Sequence, residues 1–178
     1  MNTLIISDIH GSHQRLQEVL ATPLPYDQII LVGDSLYHGP RNPILDDYNP
    51  QAVADLLNAV TVPILAVRGN CDAEVDQMLL NFPMMQDYTL TQLNNKKIYI
   101  THGHLVDPNT FGPQSNADIF ISGHTHIPVL AISGNTLMYN PGSIALPKGG
   151  HPNSYGYLSD SSISILTLDH KPYMTLDF

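Results

Sequence analysis

The stretch Leu4-Ile5-Ile6-Ser7-Asp8-Ile9-His10-Gly11 decides how the rest of the chain is interpreted. Its apolar half predicts a buried strand, and the polar residues that follow place a carboxylate and an imidazole at the carboxyl end of that strand. Because alternate side chains of a strand point to the same face, we expect Asp8 and His10 to point the same way. Together they would form half of a metal site, although a single Asp-x-His arises often by chance.

Four further segments repeat this design, in which polar ligand residues directly follow an apolar run. They are Gly33-Asp34, Gly69-Asn70-Cys71-Asp72, Thr101-His102-Gly103-His104 and Gly123-His124-Thr125-His126. Ligands of α/β sheets gather at the carboxyl ends of strands, so these positions favour one shared site. Taken singly, each segment would be an ordinary turn, loop or surface histidine. Their joint occurrence in one short chain is difficult to attribute to turns alone.

The residue types in these segments favour a divalent metal. Two Asp, one Asn and four His supply mixed nitrogen and oxygen ligands, which suit Mn²⁺, Fe²⁺, Zn²⁺ or related ions. Seven ligands are too many for one tetrahedral ion but suit two ions that share a bridging carboxylate. The predicted metal ligands are Asp8, His10, Asp34, Asn70, His102, His124 and His126.

The composition restricts the class of protein. A chain of 178 residues with 43% hydrophobic and 13% charged residues fits one compact domain over residues 1–178. Seven Lys and Arg against sixteen Asp and Glu give a formal charge of −9, so no basic surface for duplex nucleic acid is expected. The single cysteine, Cys71, excludes an internal disulfide. We expect no targeting segment and no membrane span, and therefore predict a cytoplasmic protein.

The first half of the chain alternates strands and helices, which predicts parallel strands with crossover helices. Its predicted strands cover residues 4–7, 28–32 and 63–67, and its predicted helices cover residues 12–20, 53–60 and 74–80. From Tyr88 onward the pattern changes to short strands and turns, with hairpin turns at Asn94-Asn95 and Gly134-Asn135. Two late strands, near residues 155–158 and 163–168, are expected to complete a second sheet. We therefore expect two packed sheets with helices outside.

The five ligand segments together resemble the calcineurin-like metallophosphoesterases, and more narrowly the small bacterial phosphodiesterases of the YfcE type. The narrower resemblance lies in Val67-Arg68-Gly69-Asn70-Cys71-Asp72, Gly39-Pro40-Arg41-Asn42, Asn140-Pro141-Gly142-Ser143 and Pro147-Lys148-Gly149-Gly150. The match runs nearly end to end, with the motifs in the order of the family. It implies an α/β class fold, a two-sheet β-sandwich flanked by helices in an α/β/β/α arrangement.

The resemblance also implies the distribution of ligands and the reaction. One ion would be bound by Asp8, His10, Asp34 and His126, and a second by Asp34, Asn70, His102 and His124. Asp34 would bridge two divalent ions, with Mn²⁺ expected and Fe, Zn, Ni or Mg as alternatives. The implied activity is that of a phosphoric ester hydrolase, a phosphodiesterase in which a metal-bridging hydroxide attacks the ester. Asn70, Asp34 and His102 would be its catalytic residues.

Cys71 departs from the larger relatives, many of which carry a histidine after this asparagine to stabilise the transition state or protonate the leaving group. Because a thiol is a weak proton donor, we expect the chain to lack that acid and to act poorly on simple alkyl monoesters. Asp72 is expected to orient a ligating histidine or to cap a helix. His38, Arg41 and His104 are candidate substrate contacts, with pairing to Asp46 or Asp47 as the alternative for the arginine.

The expected partner is a small phosphate ester, with no duplex nucleic acid and no membrane, and a homo-oligomer stays open. Three alternatives to the phosphodiesterase remain. The chain could be a phosphomonoesterase acting on nucleotides or sugar phosphates. It could instead be a non-catalytic protein-interaction scaffold of the same fold, or a mononuclear metal hydrolase acting on another class of substrate.

Overall fold

The computed structural model describes residues 1–178, which form eleven strands and four α-helices. The strands are β1 (Thr3–Ile6), β2 (Gln28–Leu31), β3 (Ile64–Ala66), β4 (Tyr88–Leu93), β5 (Lys96–Thr101), β6 (Ile119–Ile121), β7 (Val129–Ser133), β8 (Thr136–Asn140), β9 (Ser154–Leu158), β10 (Ser162–Thr167) and β11 (Pro172–Asp177). The helices are α1 (His13–Leu20), α2 (Pro50–Asn58), α3 (Glu74–Leu79) and the short α4 (Pro108–Phe111), which continues into a 3₁₀ turn at Gly112–Gln114. None of these helices has the length and apolar character needed to cross a membrane.

The first sheet has the strand order β11-β10-β9-β1-β2-β3. Its β1-β2 and β2-β3 pairs are parallel, as the alternation of strands and helices predicts. Here one prediction from the sequence is wrong, because the late strands β9 and β10 belong to this sheet and not to the second. β9 pairs antiparallel with β1, with Ile5 opposite Gly156. Strand periodicity reveals that a strand exists but not which neighbour it chooses, since pairing depends on tertiary packing.

The second sheet has the order β4-β5-β6-β8-β7, with parallel pairing of β5 with β6 and of β6 with β8. Both predicted hairpins are present. Asn94 and Asn95 have φ angles of 50° and 62°, and this left-handed conformation suits a two-residue hairpin turn. Parallel strands in both sheets point their carboxyl ends into connecting loops, and those loops carry the predicted ligands.

The core forms layers on both sides of the first sheet. Leu4 and Ile6 of β1 pack with Leu16 of α1 and Leu57 of α2 in one buried cluster, whereas Ile5 points to the opposite face and packs among residues of the second sheet. This alternation is the period of a strand buried on both faces. A smaller cluster on the outer face of the second sheet packs against α4. The two-sheet sandwich flanked by helices is confirmed, whereas α4 and β11 were not predicted.

Candidate metal centre

The predicted ligands lie in loops that follow β1, β2 and β3 of the first sheet and β5 and β6 of the second. Backbone hydrogen bonds join these loops beyond the ends of the strands. The amide of Asp8 donates to the carbonyl of Gly33 at 3.1 Å, and the amide of Gly123 donates to the carbonyl of His102 at 3.0 Å. The amide of His124 donates to Oδ2 of Asp8 at 3.1 Å, which joins the loops of one sheet to those of the other.

Three buried side chains, Asp8, His10 and His126, form what we call the first ligand group. Nε2 of His126 lies 3.2 Å from Oδ1 of Asp8, and Nε2 of His10 lies 3.7 Å from the same oxygen. The two Nε2 atoms are 3.3 Å apart. The three potential donor atoms thus converge on one point below the surface.

Asn70, His102 and His124 form the second ligand group. Nε2 of His102 lies 3.2 Å from Oδ1 of Asn70, and the ring of His124 lies 5.2 Å from that of His102 in an edge-on orientation. Asp34 lies between the two groups, because its Oδ2 is 3.3 Å from Nε2 of His102 and 3.7 Å from Nε2 of His10. The structure therefore brings all seven predicted ligands together, with Asp34 in the shared position.

Backbone carbonyls orient three of the four histidine rings. Nδ1 of His10 donates to the carbonyl of Tyr37 at 3.0 Å, Nδ1 of His102 donates to Val32 at 2.6 Å, and Nδ1 of His126 donates to Leu146 at 2.6 Å. A carbonyl oxygen can only accept, so Nδ1 carries the proton in each ring. In the neutral imidazole, Nε2 then presents a lone pair to the centre, which is the arrangement that metal-ligating histidines adopt.

Five of the seven predicted ligands have left-handed backbone, with φ angles of 54° at Asp8, 47° at His10, 57° at Asp34, 65° at His124 and 59° at His126. This region is uncommon outside glycine, and such residues concentrate at functional sites. The predicted reason for the convergence of Asp8 and His10 is therefore wrong. β1 ends at Ile6, and the two side chains meet through a turned loop, not through alternation along a strand.

His124 and His126 also do not share the face that an extended backbone would give them. The ring of His124 lies beside His102, whereas the ring of His126 lies 5.1 Å from that of His10. Each histidine therefore belongs to a different ligand group. The short segment from Gly123 to His126 consequently links the two halves of the centre.

Opposite charges dominate the electrostatics of the centre. Burial acts to raise the pKa of Asp8, but His10, His126 and His102 outweigh it and hold that pKa well below its usual value. Burial acts to lower the pKa of His102, yet the carboxylates of Asp34 and Asp8 raise it to about 9. The centre thus holds buried carboxylates that require positive charge next to them.

A buried atom without a partner indicates what supplies that charge. Oδ1 of Asp8 is buried and accepts no hydrogen bond, although Nε2 of His126 lies close to it. With the ring proton on Nδ1, the lone pair of Nε2 faces this oxygen, and a cation between them would satisfy both. The donor set of imidazole, carboxylate and amide oxygen fits a divalent metal ion.

Asp72 and Gly69 allow the ligand loops to approach one another. The oxygens of Asp72 accept from the amides of Asp34, Ser35 and Gly69 at 2.7–2.8 Å. The first predicted role, orienting a histidine, is not what these contacts show, and the helix cap at Ala73 is completed by Asp76 instead. A Cβ at Gly69 would collide with Oδ1 of Asp34, which explains why a glycine directly precedes Asn70.

An open cleft of about 780 Å³ lies over the centre. Its walls include ligands from both groups and, beyond them, side chains of the loop after β2 and of the loop after β8, among them Tyr37, Arg41 and Lys148. A cleft of this size suits a small molecule. Tyr37 and Lys148 were missed as candidate contacts, because only the folded loops bring them to the cleft.

The three candidate substrate contacts occupy different positions. Arg41 lines the cleft and forms no ion pair, since Asp47 is paired with Arg15 at 2.7 Å. The ring of His38 packs between Tyr37 and Tyr48 and is not part of the wall of the cleft. His104 lies beside the rings of His102 and His124, and its buried Nδ1 has no hydrogen-bond partner. Direct contact of these three residues with a substrate stays a prediction.

Comparison with known proteins identifies the family. The profile of the calcineurin-like phosphoesterase superfamily domain matches residues 1–162. The chain belongs to the calcineurin-like phosphoesterase superfamily. Members of this superfamily among curated proteins include the phosphodiesterase YfcE of Escherichia coli strain K12, which is 41% identical over 171 residues and covers 95% of this chain and 93% of its own length.

One further relative and one solved structure extend the comparison. The probable metallophosphoesterase YsnB of Bacillus subtilis strain 168 is 32% identical over 167 residues, covering 89% of this chain and 84% of its own. The solved structure of the phosphoesterase Yfce from E. coli superimposes with a TM-score of 0.89 at 37% identity, over 99% of this chain and 98% of that one. These matches confirm the family and the narrower resemblance that the motifs indicate.

Proposed function

We propose that this protein is a phosphodiesterase that hydrolyses a small phosphodiester at a centre of two divalent metal ions. The observation that carries the proposal is the position of Asp34, whose carboxylate lies between the two ligand groups. The phosphodiesterase activity stated for the E. coli relative supports the same reaction class. When bound, two divalent ions would activate a water nucleophile and neutralise the charge on the phosphate.

The residues of the chain hold the centre in place for this reaction. Asp8, His10 and His126 would hold one ion, and Asn70, His102 and His124 the other, with Asp34 shared. The carbonyls behind His10, His102 and His126 fix the rings, so little reorganisation accompanies binding. Asn70 is exposed in the cleft, where its amide can also donate to a phosphate oxygen.

The chemistry of Cys71 favours a diester substrate with a good leaving group. Burial raises the pKa of its thiol to about 12, and the carboxylate of Asp34 nearby adds to the shift. The side chain is therefore a neutral thiol at physiological pH and not a nucleophile. Its Sγ accepts from the amide of Asn70 at 3.2 Å. Position 71, next to Asn70, therefore holds no cationic acid, and the leaving group must depart without receiving a proton from this residue.

The acidic chain and the size of the cleft favour a small substrate, not a nucleic acid duplex. Mn²⁺ is the metal we propose first, because mixed imidazole and oxygen donors suit it. A cytoplasmic location and independence from membranes remain predictions from the sequence, and the oligomeric state stays open.

The direct test compares bis-p-nitrophenyl phosphate with p-nitrophenyl phosphate, using protein loaded in turn with Mn²⁺, Fe²⁺, Zn²⁺, Ni²⁺ or Mg²⁺. We expect hydrolysis of the diester to exceed that of the monoester, and His102→Ala to abolish it. His13→Ala is the matched control, because this histidine lies outside the cleft and bonds to the carbonyl of Asp47. Turnover of the monoester alone would establish the phosphomonoesterase instead.

The remaining alternatives give different results in the same assay. A mononuclear hydrolase would saturate with one ion per chain. A protein-interaction scaffold would hydrolyse no phosphate ester with any of the five metals, and His102→Ala would change nothing. The complete ligand set speaks against the scaffold.

A further inference from the structure

Two of the few cations of this chain line the cleft without a partner. The seven Lys and Arg include three that pair with aspartates, namely Arg15, Arg68 and Lys171. Lys96 lies over the ring of Phe178. Arg41, Lys97 and Lys148 remain, and the first and last of these line the cleft. In a chain of net charge −9, this places unpaired positive charge at the mouth of the metal centre.

No acidic side chain of the cleft is free to neutralise these two cations. The cleft contains only two carboxylates, those of Asp34 and Asp72. Asp34 lies between the two ligand groups, and the oxygens of Asp72 accept from three backbone amides. Arg41 and Lys148 therefore carry positive charges that no carboxylate of the cleft neutralises.

Both cations belong to loops that are bonded to the first ligand group. The amide of Lys148 donates to the carbonyl of His126 at 3.1 Å. On the other wall, the carbonyl of Tyr37 accepts from His10, and the side-chain amide of Asn42 donates to the carbonyl of His38 at 2.9 Å, which closes the loop around Arg41. The backbone that carries each cation is thus held close to His10 and His126 of the first ligand group.

We propose that Arg41 and Lys148 bind a second phosphate group of the substrate, on the side of the first ligand group. This inference rests on the proposed phosphodiesterase function. A diester carries one negative charge at the scissile phosphate, which two divalent ions neutralise without help from the protein's cations. Arginine suits a further phosphate because its planar guanidinium donates two parallel hydrogen bonds, and lysine adds a point charge. The substrate class is a small diester that also carries a phosphomonoester.

The test uses two chromogenic diesters that differ by one phosphate, thymidine 5′-(p-nitrophenyl phosphate) and its 3′-phosphorylated form. With the Mn²⁺-loaded protein, we expect kcat/KM to be roughly tenfold higher for the 3′-phosphorylated ester, a typical effect of one charge-assisted contact. The double variant Arg41→Gln/Lys148→Gln should bring the ratio to within about twofold of one. Lys97→Gln, an unpaired lysine outside the cleft, should keep the full ratio.

Calorimetric binding of the two products gives a readout that does not depend on turnover. Thymidine 3′,5′-bisphosphate should bind the Mn²⁺-loaded protein more tightly than thymidine 5′-phosphate, and the double variant should lose this difference. Equal values of kcat/KM and of affinity in the native protein would overturn the second phosphate site, as would a preference that survives in the double variant. Hydrolysis of neither ester would instead overturn the proposed phosphodiesterase, and calorimetry would still decide the phosphate site.

Discussion

The two ligand groups of the centre differ in burial and in support. The first group, Asp8, His10 and His126, is entirely buried, and backbone carbonyls accept hydrogen bonds from the rings of His10 and His126. In the second group only His102 is buried and held in this way, whereas Asn70 is exposed and His124 is half-buried. The side chains of the first group are thus buried and held in fixed orientations, whereas those of the second group are partly exposed in the cleft.

This difference teaches how such a centre can combine tight binding with access for a substrate. Ligands that are already oriented lose little conformational freedom when an ion binds, so the first group should bind its ion more tightly. An exposed ligand such as Asn70 leaves room on the second ion for a phosphate oxygen. We therefore expect unequal affinities, with the second ion as the one that exchanges.

The largest effect is expected for Asp34→Asn, because this carboxylate lies between both ligand groups. Its loss should therefore weaken metal binding by both groups. We expect kcat/KM for bis-p-nitrophenyl phosphate to fall by about a thousandfold or more. The measurement is steady-state hydrolysis at saturating Mn²⁺. Asp47→Asn, which removes a buried carboxylate that pairs with Arg15 outside the cleft, serves as the control. Loss of less than about tenfold would show that Asp34 is not shared.

A matched pair, His10→Ala and His124→Ala, tests the two groups against each other. His10→Ala should release the tightly held ion, and His124→Ala should leave one ion per chain after dialysis. Removal of a metal ligand should weaken binding at the affected site by on the order of a hundredfold or more. Elemental analysis of dialysed protein checks both variants. The comparison fails if the two variants retain the same amount of metal.

The pH dependence of the metal-free protein reports on the pair of His102 and Asp34. Because the folded-state pKa of His102 is raised from 6.5 to about 9, its contribution to stability is complete below pH 6.5 and is lost as pH rises through 9. We expect the free energy of unfolding to fall by on the order of 2–3 kcal/mol over this window. Urea unfolding of metal-depleted protein measures it. His102→Gln should remove most of the decrease; an unchanged decrease would assign it to other groups.

Asp72→Asn should weaken the centre without touching an ion. Asparagine keeps one accepting oxygen, but its NH₂ group cannot accept from a backbone amide, so at least one of the bonds to Asp34, Ser35 or Gly69 is lost. We expect metal affinity to fall by about 10–100-fold, as for other residues that orient ligands. Asp76→Asn is the matched control, since this residue bonds to the amide of Ala73 in the same loop. An equal loss of metal affinity in the two variants would show that Asp72 only stabilises the loop and has no specific part in orienting the ligands.

The smallest effect is expected for Cys71→Ser. Sγ of Cys71 lies near His10 and Asp34, between the two groups, but the raised pKa keeps the thiol neutral. Activity on bis-p-nitrophenyl phosphate should stay within about threefold of the native protein, because a neutral thiol contributes neither charge nor a nucleophile. The assay is the same steady-state hydrolysis. A loss comparable to that of Asp34→Asn would give Cys71 a direct part in the reaction.

Much of the fold, and the set of residues that gather at the candidate metal centre, could be predicted because the relevant signals are local. An apolar run followed by Gly33-Asp34 or Gly69-Asn70 marks a strand end wherever it lies in the fold, and the order of five such segments identifies the family. The left-handed backbone at Asp8 and His10 could not be predicted, since it depends on the surrounding loops. The pairing of β9 with β1 and the position of Lys148 in the cleft could not be predicted from local sequence either, because both depend on tertiary contacts.

The most direct measurement is a titration of metal-depleted protein with Mn²⁺, in which bound metal is counted per chain by equilibrium dialysis. We predict saturation at two ions per chain, with the first bound at least about tenfold more tightly than the second. Saturation at one ion per chain would contradict the shared role of Asp34 and with it the proposed centre.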